Sequence, residues 1–405
     1  MYVILIAPGY PPEMPYFVRG LAAAGAQVLG VADQAEHELP EVARRHLAGY
    51  LRVSSLLDEG AVVDAVRRWV SPVTVERVEC LWEPGVLLAA RIREAVGARG
   101  MPPAQAVAFR DKDEMKRIVG GAGLRVPRHE RATTAQQCRD AARRIGFPII
   151  VKPIAGAGSQ DTYRANDAAE LDAALARMGH IEEANVEEFI DGEEFTFDTI
   201  CVDGQICYFN IAWYRPRPLI ARSLEWVSPQ TVCLRDPFAA ELAGGRELGQ
   251  AVLRALDFRD GFTHMEWYKK SDGEVVFGEI AARPPGAHTV DTMNYASDID
   301  LFAGWGEAMV RRTFSQRVER KYNAAIVFKR AQGQGTIRRI EGLDRLMARF
   351  GEHVAAVNLL PVGAPRRNWI QTLVSDGWIV VRHPDLKATM DMADAVGTDL
   401  QLYAA

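Results

Sequence analysis

Cysteine pairs, basic excess and long apolar runs are all missing from this chain, and each absence removes a class of function. The five cysteines, Cys80, Cys138, Cys201, Cys207 and Cys233, form no Cys-x-x-Cys pair and have no histidine partner at zinc spacing. An odd, scattered set excludes a disulfide framework and a zinc finger, and reads as reduced thiols in a cytoplasmic protein. The net charge of −5 and pI near 6.0 leave no dominant basic surface, so no nucleic-acid partner is expected. No apolar run reaches the ~18 residues that span a bilayer, so no membrane partner is expected either. The first residues, Met1 to Ala7, are too short and uncharged for a signal peptide and read as a first strand. Two common phosphate motifs are also absent. There is no Gly-x-x-x-x-Gly-Lys-Ser/Thr, and the glycine-rich loop present lacks the third glycine and following helix of a dinucleotide fingerprint.

What is present is ordinary globular material: 405 residues, 48% apolar and 25% charged. Such a length suggests two to three units of ~150 residues. Up to about residue 105, short apolar runs (2–7, 27–32, 50–53, 78–82) alternate with segments of helical periodicity (57–70, 85–96). This rhythm predicts an open parallel sheet with helices on both faces. The loop Pro8-Gly9-Tyr10-Pro11-Pro12-Glu13 follows the first strand, at the sheet end where ligands bind, although it also suits a proline-stiffened turn. Glu83 ends the fourth run on the same rim. It could face a substrate amine, or cap the helix that Pro84 begins.

The centre of the chain carries the phosphate chemistry. The strand 147–152 ends in Lys152 and runs into Pro153-Ile154-Ala155-Gly156-Ala157-Gly158-Ser159. Small residues let successive backbone N–H groups converge on an anion, and Lys152 adds a point charge beside them. A glycine-rich hairpin with a snorkelling lysine is the plainer alternative. Upstream, a helix is expected over 111–120, with Lys112 in its first turn. A cation there opposes the helix dipole, which favours an anion nearby. Residues 122–190 read as a small α/β piece, a lid able to close over a ligand. Val186 to Thr196 reads as an edge strand breaking at Asp191-Gly192. Free peptide groups there suit a purine base, and equally a charged edge that resists aggregation.

Farther on, Ser271-Asp272-Gly273 is expected to turn a hairpin between 261–268 and 274–280. Pairing across it sets Glu266 near Glu279, where alternation can put both on one face. Two carboxylates in apolar strands repel unless a dication joins them, which suits magnesium, with manganese as the substitute. Pro284 to His288 forms a stiff loop beside that pair. His288 could touch substrate or simply lie on the surface. Near the end of the sequence, the runs 369–375 and 378–382 read as strands with Asp376-Gly377 turning a hairpin between them.

In order and spacing, Arg110-Asp111-Lys112, the Lys152 glycine loop, Val186-Glu187-Glu188-Phe189-Ile190 with Glu194, Glu266, and Glu279-Ile280-Ala281-Ala282-Arg283 resemble the ATP-grasp superfamily of ligases. The resemblance runs from about residue 1 to 312. It implies an ATP-grasp fold, α/β and α+β: an N-terminal α/β domain (1–108), an ATP-grasp domain (109–315, with the lid at 122–190) and a C-terminal α+β cap (316–405). It also implies that Lys112 and Lys152, with Gly156, Gly158 and Ser159, hold the ATP phosphates. Glu187, the Glu188 carbonyl and the Ile190 amide would read the base, and Glu194 the ribose. Glu266 and Glu279 would bind magnesium, and Arg283 would stabilise the transferring group. The family's asparagine two residues after the second glutamate is here Ala281. The implied reaction joins a small-molecule carboxylate to an amine through an acyl phosphate, with a homodimer left open. Two alternatives remain: a biotin-dependent carboxylase subunit using bicarbonate, and a nucleotide-binding regulator without catalysis.

Overall fold

In the computed structural model, which describes residues 1–156, 161–372 and 374–405, the first four strands form one parallel sheet. They are β1 (Tyr2–Ile6), β2 (Gln27–Ala32), β3 (Leu47–Arg52) and β4 (Val75–Cys80), in the order β3-β2-β1-β4. Burial explains the near-continuous apolar runs: Val3, Ile4, Leu5 and Ile6 on β1 are all fully covered. The order reverses direction between β1 and β4, so a crevice opens beyond their carboxyl ends. The loops carrying Glu13 and Glu83 lie there.

A second, four-stranded antiparallel sheet contains β5 (His129–Ala132), β6 (Ile149–Pro153), β7 (Tyr163–Ala165) and β8 (Ala184–Glu188), ordered β5-β8-β6-β7. Its helices begin where side chains supply the missing acceptors. Thr134 accepts from the Gln137 amide at 3.2 Å, and Asp167 from the Glu170 amide at 2.9 Å. This sheet has its own core around Cys138, Ile145, Val151, Leu171 and Val186.

The third sheet is the body of the molecule. Its strands are β9 (Glu193–Val202), β10 (Gln205–Asn210), β11 (Ala212–Arg215), β12 (Gln230–Cys233), β13 (Gly261–Lys269), β14 (Val275–Ala281) and β15 (Asn323–Phe328). Beyond them, β16 (Gln332–Gly333) and β17 (Ile337–Glu341) pair with β20 (Gln401–Ala404) in a small separate sheet. Between these in sequence, β18 (Val354–Leu359) and β19 (Gly377–His383) return to the body, giving the order β14-β13-β9-β11-β12-β15-β19-β18, with β10 on β9. The C-terminal strands therefore extend the same sheet that carries Glu266 and Glu279.

Two expectations fail here. The segment 186–196 is not one edge strand: β8 lies between β5 and β6, and β9 between β13 and β11. Nor is there a strand at 369–372, so Asp376-Gly377 turns no hairpin; Gly377 instead starts β19, which pairs with β15 and β18. Both errors come from reading local alternation, when long-range partners decide which runs become strands. Among the described residues, no helix is long and apolar enough to cross a membrane.

Candidate active site

The expected cations and acids meet where the small sheet faces the body. Helix α1 (Lys112–Gly121) begins at Asp111, whose Oδ1 accepts the amides of Asp113 and Glu114 at 3.1 and 3.0 Å. The Lys112 amide donates to the Ile154 carbonyl at 3.2 Å, and Lys112 Nζ to the Gly156 carbonyl at 2.9 Å. The first turn of α1 is thus tied to the loop leaving β6. Gly158 and Ser159 lie outside the described residues.

Lys152 Nζ lies 2.7 Å from Glu187 Oε1 and 3.6 Å from Glu279 Oε2, while Lys112 Nζ lies 3.7 Å from the same Glu279 oxygen. A third cation was missed by sequence reading. Lys116, fully buried one turn after Lys112, reaches within 3.0 Å of Glu187 Oε2. The i, i+4 spacing on α1 was the available signal. Its contact is ionic rather than an aligned hydrogen bond. Burial pulls the Lys116 ammonium down to about 8, against the Glu187 charge. Burial alone would raise Glu187, but Lys116 and Lys152 together outweigh it and hold that carboxyl at about 2. Glu187 has two cations close by, whereas Lys116 is favoured by Glu187 and Glu279 but opposed by neighbouring Lys152, which is why the shifts differ.

Along β8 the side chains alternate. Glu188 faces away, bound by Arg125 Nη2 at 2.9 Å and by the Arg128 amide at 3.1 Å. The Ile190 carbonyl accepts from Arg217 Nη1 at 2.8 Å. Arg217 also approaches Glu194 at 3.3 Å and lies over the rings of Phe189 and Tyr268. Arg217, set beside two prolines in a loop, carried no motif to reveal it.

The acids lie on β9, β13 and β14. The register pairs Glu266 with Glu279 across the 271–273 turn. It also pairs Glu194 with Tyr268, and Thr196 with Glu266. Opposite Glu266 and Trp267, the strand β14 holds one extra residue, Gly278. A Cβ at Gly278 would stand 2.8 Å from the Glu266 carbonyl oxygen, so the bulge that aims Glu279 requires glycine. Burial, then the Glu266 charge, push the Glu194 carboxyl up to about 8. Burial would also raise Glu279, but Lys112 and Lys152 outweigh it and hold it near 2. Glu266 and Glu279, set opposite each other across the hairpin and presenting only oxygen donors, fit a hard dication. His264 is buried next to them, its Nδ1 2.6 Å from Asp198 and its Nε2 3.5 Å from Glu266. Desolvation would lower its pKa, yet the two carboxylates raise it to about 9.

Glu83 is engaged by two arginines. Its Oε2 accepts from Arg283 Nε and Nη2 at 2.9 and 2.6 Å, and its Oε1 from Arg110 Nη1 at 2.7 Å. It makes no helix-capping bond. A carboxylate from the N-terminal sheet thus fixes an arginine from the body. His288 lies apart from this set. It is half-buried against Trp378, with Nδ1 2.9 Å from Asp291 and its amide donating to Glu13 at 2.7 Å. Burial opposes charge on it, but Asp291 and Glu13 raise its pKa.

A family model described as an ATP-grasp domain matches residues 145–291. An L-arginine-specific L-amino acid ligase of Bacillus subtilis is 28% identical over 211 residues, covering 50% of this chain and 50% of that protein. The chain spans about half the length of the first curated relatives it matches. Among solved structures, an L-amino acid ligase from Bacillus licheniformis aligns with a TM-score of 0.81 at 19% identity, covering 100% of this chain and 98% of that one. An N5-carboxyaminoimidazole ribonucleotide synthetase from Thermotoga maritima aligns with a TM-score of 0.70 at 16% identity, covering 100% and 99%. At such identities the structural likeness carries the fold.

Proposed function

This chain has the ATP-grasp fold and carries an ATP-grasp domain, and from that premise we propose an ADP-forming ligase that joins a carboxylate to an amine. One observation carries the reading. Lys152 from the small sheet and Glu279 from the body approach to 3.6 Å, so a phosphate-binding cation faces a metal-binding acid across the gap between two sheets. A nucleotide triphosphate with its cation satisfies both sides at once.

In this reading Lys112, Lys152 and the loop amides after Pro153, including those of Gly158 and Ser159, hold the phosphates. The peptide groups of Glu188 and Ile190 bind the base, Glu187 is held by Lys116 and Lys152 beside it, and Glu194 meets the ribose. Glu266 and Glu279 hold magnesium, which supplies charge neutralisation at the transferring phosphoryl group. The γ-phosphoryl group passes to a carboxylate oxygen, leaving ADP and an acyl phosphate. The amine then attacks the acyl carbon, phosphate leaves, and the nitrogen loses a proton to give the amide. Arg283, held rigid by Glu83, offers its remaining charge to the anion that forms and collapses. Positioning and electrostatics are most of what this transfer needs.

The lid at 122–190 and the division at 108 and 315 belong to the same proposal. So does a cytoplasmic setting, in keeping with five free thiols. The substrates are proposed as small molecules, the carboxylate and amine of an amino acid pair being the first to try in view of the ligases it resembles. The test is phosphate release from ATP and magnesium over pools of amino acids and other carboxylates, with and without bicarbonate. Release that needs a carboxylate and an amine together supports the ligase. Release only with bicarbonate favours the carboxylase alternative, and nucleotide binding without any release favours the regulator.

A further inference from the structure

Two rows of side chains cross the body sheet at the acidic site. The register sets Thr196, Glu266 and Glu279 in one row, and Asp198, His264 and Ala281 in the next. Ala281 brings no donor atom to the site. Its cross-strand neighbour His264 does. Asp198 is fully buried, with Oδ2 accepting from Thr196 Oγ1 at 2.6 Å and from Asn210 Nδ2 at 3.2 Å. Its other oxygen lies 2.6 Å from His264 Nδ1. The ring is therefore fixed through Nδ1, and Nε2 is the atom turned towards the acids, 3.5 Å from Glu266 Oε1.

That arrangement is the one metal-binding histidines adopt, with the second ring nitrogen donating to a carboxylate that sets tautomer and orientation. Neighbouring ligands of an octahedral dication with ~2.1 Å bonds stand about 3 Å apart, so Nε2 and Glu266 need approach by only about half an ångström, whereas the three donors with Glu279 do not yet lie within 4.8 Å of one another and must close around the ion. We propose that His264, through Nε2, is a ligand of the divalent cation held by Glu266 and Glu279, in place of the donor Ala281 cannot offer. The proposal rests on the ATP-grasp reading above. Ligation uses the Nε2 lone pair while Nδ1–H stays on Asp198, and a ring that starts as imidazolium gives up its Nε2 proton to solvent on binding. A nitrogen in an otherwise oxygen set shifts the site from magnesium towards manganese, which accepts imidazole more readily.

The test uses the full chain with manganese chloride and ADP. Binding is read from loss of the free six-line manganese EPR signal, and the ligand from pulsed EPR. Wild type should show coupling to a ¹⁴N nucleus. His264→Gln should lose that coupling and bind manganese ~10–100-fold more weakly, the scale for disturbing a ligand set. Its affinity for ADP without metal should stay at the wild-type value, which shows that the variant is folded. Adding Ala281→Asn to His264→Gln should restore manganese affinity without restoring the nitrogen coupling. Bound manganese with no nitrogen coupling in wild type overturns the proposal, as does unchanged manganese affinity in His264→Gln. Binding of neither ADP nor manganese by wild type overturns the ATP-grasp reading and this proposal with it.

Discussion

Single side chains at this site are held by opposite charge, and their removal should separate binding from chemistry. Lys152→Ala deletes a buried cation that faces both Glu187 and Glu279. A charge-assisted contact is worth ~1.5–3 kcal/mol, so nucleotide affinity, measured by calorimetry, should fall at least about tenfold. Unchanged affinity would remove Lys152 from the site. Glu279→Gln keeps shape but takes one charge from the proposed magnesium shell. Phosphate release should drop ~10²–10³-fold, the scale for one transition-state electrostatic contact, while ADP affinity falls far less. Glu83→Gln tests the arginine clasp. It leaves Arg110 and Arg283 without their shared anion, so turnover should fall ~10-fold or more with the KM for ATP nearly unchanged. An equal loss in both parameters would mean that Glu83 only supports the fold.

At the scale of elements, β8 and α1 form one electrostatic unit. Glu187 on β8 is pushed up by burial and pulled down further, to about 2, by Lys116 and Lys152. A carboxyl with a depressed folded-state pKa stabilises the protein fully above its unfolded value near 4.5, and that stability is lost as pH falls towards 2. Glu187→Gln takes the paired carboxylate from buried Lys116 and leaves Lys152 with Glu279 alone, which should cost ~3–5 kcal/mol at neutral pH. On acidification the wild-type carboxyl protonates and loses the same advantage. Thermal unfolding of the two proteins should therefore draw together from about pH 4.5 down to about 2, and a constant gap would contradict the pairing. The β13–β14 hairpin shows the other way an element aims a side chain, since its bulge at Gly278 turns Glu279 towards the lysines.

The whole molecule depends on how the N-terminal sheet sits on the body. The helix Met14–Ala23 crosses the helix Leu301–Arg311 at two glycines: a Cβ on Gly20 would fall 2.0 Å from the Phe302 carbonyl oxygen, and one on Gly306 would fall 2.2 Å from Gly20. Neither backbone can retreat, because Phe17, Phe302 and Trp305 are packed around the crossing. Gly306→Val should cost at least the ~1–3 kcal/mol typical of overpacking, read by urea unfolding. It should also slow turnover more than it weakens ADP binding. Glu83 comes from the N-terminal sheet and Arg283 from the body, so a shift between them opens the clasp. Wild-type turnover in a folded Gly306→Val would show that the clasp tolerates such a shift.

What the sequence determined by itself was local. The β-α rhythm of the first hundred residues, the helix opening at 111 with Lys112 in its first turn, Lys152 before its glycine loop and the turn at 271–273 all rest on neighbours within about a dozen residues. A short turn leaves little freedom in register, so the facing of Glu266 and Glu279 was legible too. The tertiary structure decided what depends on distant partners. Glu83 meets Arg283 across 200 positions, and His264 meets Asp198 across 66. Lys116 joins Glu187 at the candidate site only through the tertiary packing of α1. The runs at 186–196 and 369–375 misled because strand formation there is settled by which edges lie alongside, and no local pattern carries that information. Burial, finally, is a property of the assembled fold: it turns ordinary lysines and glutamates into groups with displaced pKa values, and the site's chemistry begins with that displacement.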